Sequence, residues 1–271
     1  MKELKTLIQQ GKLTDGIQYL GEKLKADPLN IDYRSSFIEL LCIDGQIERA
    51  DKQLDMLVRQ HPECLGGASS LRQLIRAAQA RVDFANGGDT VTLTSEADDS
   101  FKALVGLRIA MKEQNSEAIT THAEQLESLR SEVQLGINDV LETTVRDLDD
   151  TLCNYVEVFG TNGLYYLFPL SQIESIVFKP VSSLVESVWR RVEIEVKDGP
   201  GGDAFIPMTY LGSESDQEKL GQETNWAQLE GSEVYVGRGL KVWLVGEADL
   251  ALNACATVKL HENVHCEAVS V

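Results

Sequence analysis

Hydrophobic residues recur at three- and four-residue spacing through the first half of the chain. Ile17, Leu20 and Leu24 lie on one face of a predicted helix, and the same spacing returns at Leu54 and Val58. This periodicity is typical of amphipathic helices that bury one side. Each such helix therefore needs a neighbour against which its apolar face can pack.

The helical pattern repeats itself along the chain. A shift of 34 residues superposes one helical hairpin on the next, and the matched pairs are Leu7 and Leu41, Gly11 and Gly45, Leu20 and Leu54, Leu24 and Val58, and Pro28 and Pro62. Each glycine is placed to end a first helix. Each proline follows a second helix, which it cannot continue. This is the period of the tetratricopeptide repeat.

More helices are predicted beyond the two matched hairpins. They cover residues 68–86, Phe101–Met111 and Glu117–Arg130, while Val91–Ser100 is predicted to be a surface connection. We expect residues 1–140 to form a tetratricopeptide-like helical repeat domain. Such stacks expose a concave groove that usually holds a peptide or a helix. The alternative is that the repeats only support the other half of the chain.

The second half changes to the two-residue alternation of strands. Tyr155–Phe159 and Leu164–Phe168 are joined by a Gly160–Gly163 turn, which predicts a hairpin. A short helix is predicted at Ser182–Ser187. Further strands are predicted at Ser175–Phe178, Val192–Val196, Ala204–Tyr210, Glu233–Val236 and Leu240–Val245. Residues 147–271 should thus form a strand-rich α+β domain, which gives a multidomain chain of the α plus α+β class.

Charge and cysteine content limit the partners. The formal net charge of −18 repels phosphate backbones and anionic lipid surfaces, so we expect neither a nucleic-acid nor a membrane partner. The five cysteines are scattered and contain no Cys-x-x-Cys pair, as expected in a reducing compartment. The first residues lack the apolar run of a signal peptide. These features predict a cytoplasmic protein.

Few residue patterns in the chain suggest catalysis. No phosphate-binding loop and no nucleophile elbow occurs, so we predict no catalytic, cofactor-binding or metal-binding residues and no cofactor. The acidic run Asp147–Asp150 could bind a cation, cap a helix or remain solvated, and the solvated state is favoured. His261, His265 and Cys266 have donor types that could bind zinc. The alternative functions are therefore a metal-dependent enzyme that uses one of these sets, or a structural homo-oligomeric scaffold.

Large aromatic residues are concentrated in the second half of the chain. Most should belong to its core, including Phe168 and Trp243. Aromatic residues are also frequent anchors of protein interfaces. The candidate partner-binding residues are Tyr165, Tyr166, Trp189 and Trp226. His61 and His122, in the repeat half, are predicted to be helix-end or surface residues.

Several segments resemble one known family. In the second half they are Asp147 to Pro169, Ile173–Phe178, Leu184–Arg190, Pro207–Glu214 and Leu220–Trp226, and in the repeat half they are Leu40–Cys42, Gly45-Gln46, Arg49-Ala50 and Gln53–Asp55. On these segments the chain resembles the ImpE/SciE/TagJ family of type VI secretion. The resemblance extends from about Leu7 to Trp243, and the pattern departs from the family after Leu240.

The resemblance implies a non-enzymatic accessory factor of a contractile secretion apparatus. Proteins of this family are similar in binding a helix of the small sheath subunit, and they are linked to the AAA+ ATPase that recycles contracted sheath. The expected partners are therefore this sheath subunit and this ATPase, and a homodimer is also compatible with the sequence. No family catalytic residue exists to carry over.

Overall fold

The computed structural model describes residues 1–261, in which helices precede a strand-rich part. The helices are α1 (Lys2–Gln9), α2 (Leu13–Ala26), α3 (Ile31–Ile43), α4 (Ile47–Gln60), α5 (Leu65–Ala85), α6 (Asp99–Glu113), α7 (Ser116–Ser128) and the short α8 (Asp216–Lys219). Asparagine or aspartate side chains cap the N-termini of α3, α6 and α7. The chain thus belongs to the predicted α plus α+β class.

The helix boundaries reproduce the 34-residue shift found in the sequence. Helix α4 begins and ends 34 residues after α2. The preceding turns also match, because Gly11 and Gly45 both adopt positive φ angles, of 72° and 80°. A residue with a side chain is strained in this conformation. The assignment of the helices as tetratricopeptide repeats stays a prediction.

The strands form one large sheet and two small ones. They are β1 (Val91–Thr92), β2 (Gln134–Ile137), β3 (Val140–Glu142), β4 (Val145–Asp147), β5 (Tyr155–Gly160), β6 (Tyr165–Pro169), β7 (Ile173–Phe178), β8 (Trp189–Val196), β9 (Gly202–Pro207), β10 (Thr224–Gln228), β11 (Tyr235–Gly239), β12 (Val242–Val245), β13 (Ala248–Ala251) and β14 (Thr257–His261). The large sheet has the order β1-β6-β5-β9-β8-β7-β14-β2-β3. The small sheets are β10-β11 and β13-β12-β4.

Most of the predicted strands are present. The β5–β6 hairpin is confirmed, with Phe159 opposite Tyr165. The predicted surface connection Val91–Ser100 is wrong at its start, because Val91 and Thr92 pair in parallel with Tyr165 and Tyr166. The sheet also begins before residue 147, because β2 and β3 already belong to it. The predicted helix at Ser182–Ser187 is a single 3-10 turn, Val185–Ser187.

One apolar core joins the helices to the sheet. Its buried members include Leu41 and Leu104 from the helices, and Phe159, Tyr165 and Trp189 from the strands. The other face of the sheet contributes to a second core, which contains Val156, Val158, Phe168, Trp243 and Leu252. Because β5 lies between the two cores, every residue of this strand is buried.

The segment around α8 ties the strand-rich part to the first hairpins. Asp216 accepts hydrogen bonds from the backbone N–H and the hydroxyl of Thr14, at 2.8 and 2.9 Å. Lys219 Nζ lies 2.8 Å from Asp44 Oδ1. The amide of Gln222 donates to the carbonyl of Ile8. These polar contacts fix the helical layer to the sheet at the surface, where the apolar core ends.

Candidate functional site

Helices α3, α4 and α5 enclose a mostly apolar groove of about 350 Å³. Its lining residues are Ser35, Ile38 and Glu39 of α3, Leu54 and Leu57 of α4, Cys64, Gly67, Ala68 and Leu71 at and within α5, and Ser183 and Val185. The lining residues from α3, α4 and α5 follow from helical periodicity, which places them on the inner faces of these consecutive helices. That this groove is the concave surface of a tetratricopeptide stack stays a prediction.

One wall of the groove comes from the strand-rich part. Val185 is buried, and its N–H donates to Glu39 Oε2 at 3.1 Å. Burial raises the pKa of Glu39, although this hydrogen bond opposes the effect. The contact holds the 3-10 turn Val185–Ser187 against α3. The groove is therefore narrowed on one side, yet it remains open along the other.

Three charged side chains meet at the buried contact between α5 and the sheet. Arg81 Nε donates to Glu157 Oε1 at 2.7 Å, and Lys241 Nζ donates to Glu157 Oε2 at 2.6 Å. The hydroxyl of Tyr165 also donates to Glu157, at 2.7 Å. Burial by itself would raise the pKa of Glu157, but the two cations outweigh it and lower this pKa. Glu157 is thus an ionised carboxylate that links helix, sheet and loop.

The acidic run Asp147–Asp150 is not solvated, so that prediction is wrong for its buried members. Asp147 Oδ1 accepts hydrogen bonds from the Tyr210 hydroxyl at 2.7 Å and from the Asp149 N–H at 2.9 Å. Burial raises the pKa of Asp147 to about 7, against the charge of Lys241. Asp150 instead pairs with Arg146 at 2.7 Å.

These carboxylates hold a turn together, because each has protein partners. Asp149 accepts hydrogen bonds from Thr151 and from the Gly237 N–H, and burial raises its pKa. Residues 1–261 contain no group of three or more His, Cys, Asp or Glu side chains that could hold a metal ion. Of the histidine and cysteine set at the C-terminal end, His265 and Cys266 lie outside the described residues.

The predicted partner-binding aromatics differ in exposure. Tyr165, Tyr166 and Trp189 are buried, and the ring of Trp189 packs edge-on against Phe159 with the centroids 5.6 Å apart. Their rings therefore offer little surface to a partner. Trp226 is 42% exposed on β10 and is tilted against the ring of Tyr210. Of the four, it is the one that can touch another molecule directly.

The histidines and cysteines of the helical part have structural surroundings. A ring nitrogen of His61 lies 2.9 Å from the carbonyl oxygen of Leu29, and His122 contacts Gln125. Cys42 is buried within the core, where burial raises the pKa of its thiol. A thiol with a raised pKa is a poor nucleophile at neutral pH.

Sequence reasoning missed the ion cluster of Arg81, Glu157 and Lys241. A signal for it was present, since Glu157 interrupts an otherwise apolar strand on the face that carries Tyr155 and Phe159. A charge at an inward strand position requires a buried partner. The partner could not be deduced, because Arg81 and Lys241 are far from Glu157 in the sequence.

Comparison with known proteins finds similarity to a component of type VI secretion. The family model described as ImpE protein matches residues 141–259. A protein of Pseudomonas aeruginosa described as type VI secretion system accessory component TagJ is 26% identical over 247 residues, which cover 90% of this chain and 86% of TagJ. The sequence was expected to depart from the family pattern after Leu240. This expectation is wrong for the residues up to 259, because the match to the family model extends to that residue.

The fold has a solved counterpart. Protein VPA1032 from Vibrio parahaemolyticus, whose crystal structure has been solved, is 44% identical in sequence. The match covers 97% of this chain and 98% of the VPA1032 chain, and the two structures superpose with a TM-score of 0.93. Among residues 1–261, no helix has both the length and the apolar character needed to cross a membrane. Taken with the residues that carry the resemblance, these matches show that residues 141–259 are similar to the ImpE family and that most of the chain is similar to the accessory component TagJ.

Proposed function

We propose that this protein is a non-enzymatic adaptor of a type VI secretion system. The observation that carries the proposal is the similarity to the accessory component TagJ, which extends over 90% of the chain. The buried ion cluster and the acidic turn are consistent with it, because their polar atoms are satisfied by other protein groups. In this proposal the protein acts in the cytoplasm and uses no cofactor.

The finer part of the proposal concerns the partners. The groove between α3, α4 and α5 takes the apolar face of a helix from the small sheath subunit, and another surface contacts the AAA+ ATPase that disassembles the sheath. The groove suits a helix because most of its lining residues are apolar, with Ser35 and Glu39 among the polar ones. Trp226 is the proposed anchor of the second contact. Tyr165, Tyr166 and Trp189 would act only by fixing the sheet beneath the helices.

A glycine in the groove allows a sharp test of this proposal. Gly67 lines the groove and is exposed, and a Cβ atom added there would have no neighbour within 4 Å. Gly67→Trp should therefore fill the groove without disturbing the core. A synthetic peptide of the sheath-subunit helix should bind the native protein with a Kd of about 1 µM, or about −8 kcal/mol. Isothermal titration calorimetry should show at least tenfold weaker binding to Gly67→Trp.

The neighbouring residue supplies the matched control. Gly66 is equally exposed and unobstructed on α5, but it does not line the groove. Gly66→Trp should bind the peptide like the native protein. Both substitutions replace an exposed glycine in the first turn of α5, where the added side chain meets no neighbour among the described residues, so neither should lower the unfolding midpoint. Equal binding by the native protein and Gly67→Trp would refute the groove as the binding site, and the absence of any binding by the native protein would refute the choice of partner.

A further inference from the structure

A second cavity, of about 240 Å³, lies where α5 and α6 meet the sheet. Arg108 of α6, Phe84 of α5 and Gly237 of β11 are among its lining residues. It reaches the surface, because Leu211 in its wall is 41% exposed. The groove of the proposed adaptor function has no lining residue in common with it.

Arg108 is the cation of this cavity that has no carboxylate partner. Arg81 also lines the cavity, but its guanidinium is bonded to Glu157. Among residues 1–261, the one hydrogen bond of Arg108 is a long one of 3.3 Å from Nη2 to the carbonyl oxygen of Thr151. Its Nε is also without a partner among these residues, but this atom is buried and a ligand cannot reach it.

The acidic residues of the same cavity do not fill this role. Both oxygens of Asp149 already accept hydrogen bonds, from Thr151 at 2.6 and 2.8 Å and from the Gly237 N–H at 2.9 Å. No ion pair within 4.0 Å joins Arg108 to Asp149 or to Glu157 in the described part of the chain. In the described part of the chain Nη1 of Arg108 has no acceptor and is not buried, so this nitrogen is available to a ligand, with Nη2 beside it.

We propose that this cavity binds a small carboxylate with a short apolar body, with the carboxylate on Arg108. The planar guanidinium matches a carboxylate through paired hydrogen bonds. Phe84, Met111 and Leu211 supply apolar walls for the rest of the ligand. A single carboxylate fits better than a phosphate dianion, since Asp149 and Glu157 also line the site and repel further negative charge. The volume limits the part of the ligand that lies inside the cavity to a few heavy atoms.

Butyrate and butyramide form a suitable pair of probes for the full-length protein. They have nearly the same shape, but only butyrate carries a charge. At constant ionic strength, butyrate should bind with a one-to-one saturation curve, followed by calorimetry or by NMR shifts. Butyramide should bind at least tenfold more weakly. Equal binding of the two would overturn the proposal, as would the absence of saturable butyrate binding.

Variants locate the site. Arg108→Gln should weaken butyrate binding at least tenfold, whereas Arg76→Gln, which removes the same charge from the exposed side of α5, should leave it unchanged. Should Arg108→Gln fail to fold, Leu211→Glu provides a second test, because an exposed carboxylate at the mouth should repel the ligand. Unchanged binding in a folded Arg108→Gln protein, or in Leu211→Glu, would overturn the assignment.

The carboxylate could come from a free organic acid or from the end of a peptide chain. N-acetyl-alanyl-leucine and its amide distinguish these sources. Tighter binding of the peptide acid than of butyrate, with no binding of the peptide amide, would support a chain terminus as the natural ligand. Binding of butyrate without binding of the peptide acid would support a free acid.

Discussion

Glu157 is a buried residue of the sheet on which three polar contacts converge, one of them from a helix. It accepts hydrogen bonds from Arg81, Lys241 and Tyr165, which lie on different elements. A buried ion pair does not by itself add much stability, since desolvation offsets the attraction between the charges. Loss of one partner is different, because the remaining charges stay buried without compensation.

Neutralising Glu157 should therefore destabilise the protein strongly. In Glu157→Gln the side chain keeps its shape, but Arg81 and Lys241 lose their counter-charge. We expect the free energy of unfolding to fall by about 3–5 kcal/mol, measured by denaturant titration. Glu193→Gln is the matched control, because its pair with Lys179 is exposed and should contribute less than about 1 kcal/mol. Similar small losses in both variants would contradict the prediction.

Asp147 should make stability depend on pH near neutrality. Its pKa is raised to about 7 by burial, from about 3.9 in an unfolded chain. Between these values the folded state binds the proton and the unfolded state does not, so stability decreases as pH rises from about 4 to about 7. The native protein should lose stability relative to Asp147→Asn over this range, by at most about 1.4 kcal/mol per pH unit, and the difference should be constant above it.

Chemical denaturation of the two proteins at a series of pH values measures this difference. Asp147→Asn is a suitable reference because the asparagine oxygen can still accept from the Tyr210 hydroxyl. The contribution of Glu157 cancels in the comparison. A flat difference between pH 4 and 7 would show that the pKa of Asp147 is not raised by folding, and an increasing difference would contradict the predicted direction.

Single residues were only partly predictable. Phe168 and Trp243 are buried in the second core as expected, because large apolar rings gain most from burial. The burial of Asp147 and Asp149 was not foreseen. Local sequence favours solvation of a run of acids, and the groups that satisfy them come from distant strands, as with the Gly237 N–H. The missing information was the tertiary pairing.

At the scale of elements, the two matched helical hairpins share turns but differ in their surroundings. Gly11 and Gly45 both have positive φ. A Cβ atom on Gly11 would lie 2.6 Å from the Cγ atom of Gln217, whereas one on Gly45 would meet nothing within 4 Å. The first turn is thus pressed against the α8 segment, and the second is not.

Alanine at each glycine separates these two effects. Gly45→Ala should cost about 1–2 kcal/mol of stability, because alanine is strained in the left-handed region. Gly11→Ala should cost about 1 kcal/mol more, because Gln217 must also move. Thermal unfolding of both variants gives the comparison. An equal loss in the two would mean that the α8 segment adapts without cost.

Element prediction succeeded where the signal is local. The amphipathic helices and the β5–β6 hairpin are defined by periodicity and by a Gly/Asn turn. It failed for β1, which has two residues, and for β2, β3, β4, β10, β13 and β14, which have three to five. Strands this short carry little periodic signal. Their pairing depends on partners far away in the sequence, as when β14 lies between β7 and β2.

For the whole molecule, the shared core decides how the helical and strand-rich parts behave. Helices and strands contribute to one apolar cluster, so separating them would expose Phe159 and Trp189 as well as Leu41 and Leu104. The change in architecture begins at β2, before the division predicted at residues 140 and 147. It was visible in the sequence as a change of period, whereas a common core leaves no such pattern.

We therefore expect the two parts to unfold together. All three tryptophans, Trp189, Trp226 and Trp243, belong to the strand-rich part, and nearly all helical residues precede them. Tryptophan fluorescence and far-ultraviolet circular dichroism thus report on different parts. In a denaturant titration the two signals should give the same midpoint. Clearly separate midpoints would show that each part is an independent folding unit.

The position of β14 in the large sheet bears on how the protein is made. β2 and β7 are synthesised early, yet neither pairs with the other, because the strand that lies between them follows both in the chain. Until it arrives, the nascent polypeptide presents two unsatisfied edges of the kind that recruit neighbouring chains. When several ribosomes translate the same message, the yield of native protein should therefore depend on how well chaperones protect these two strand edges.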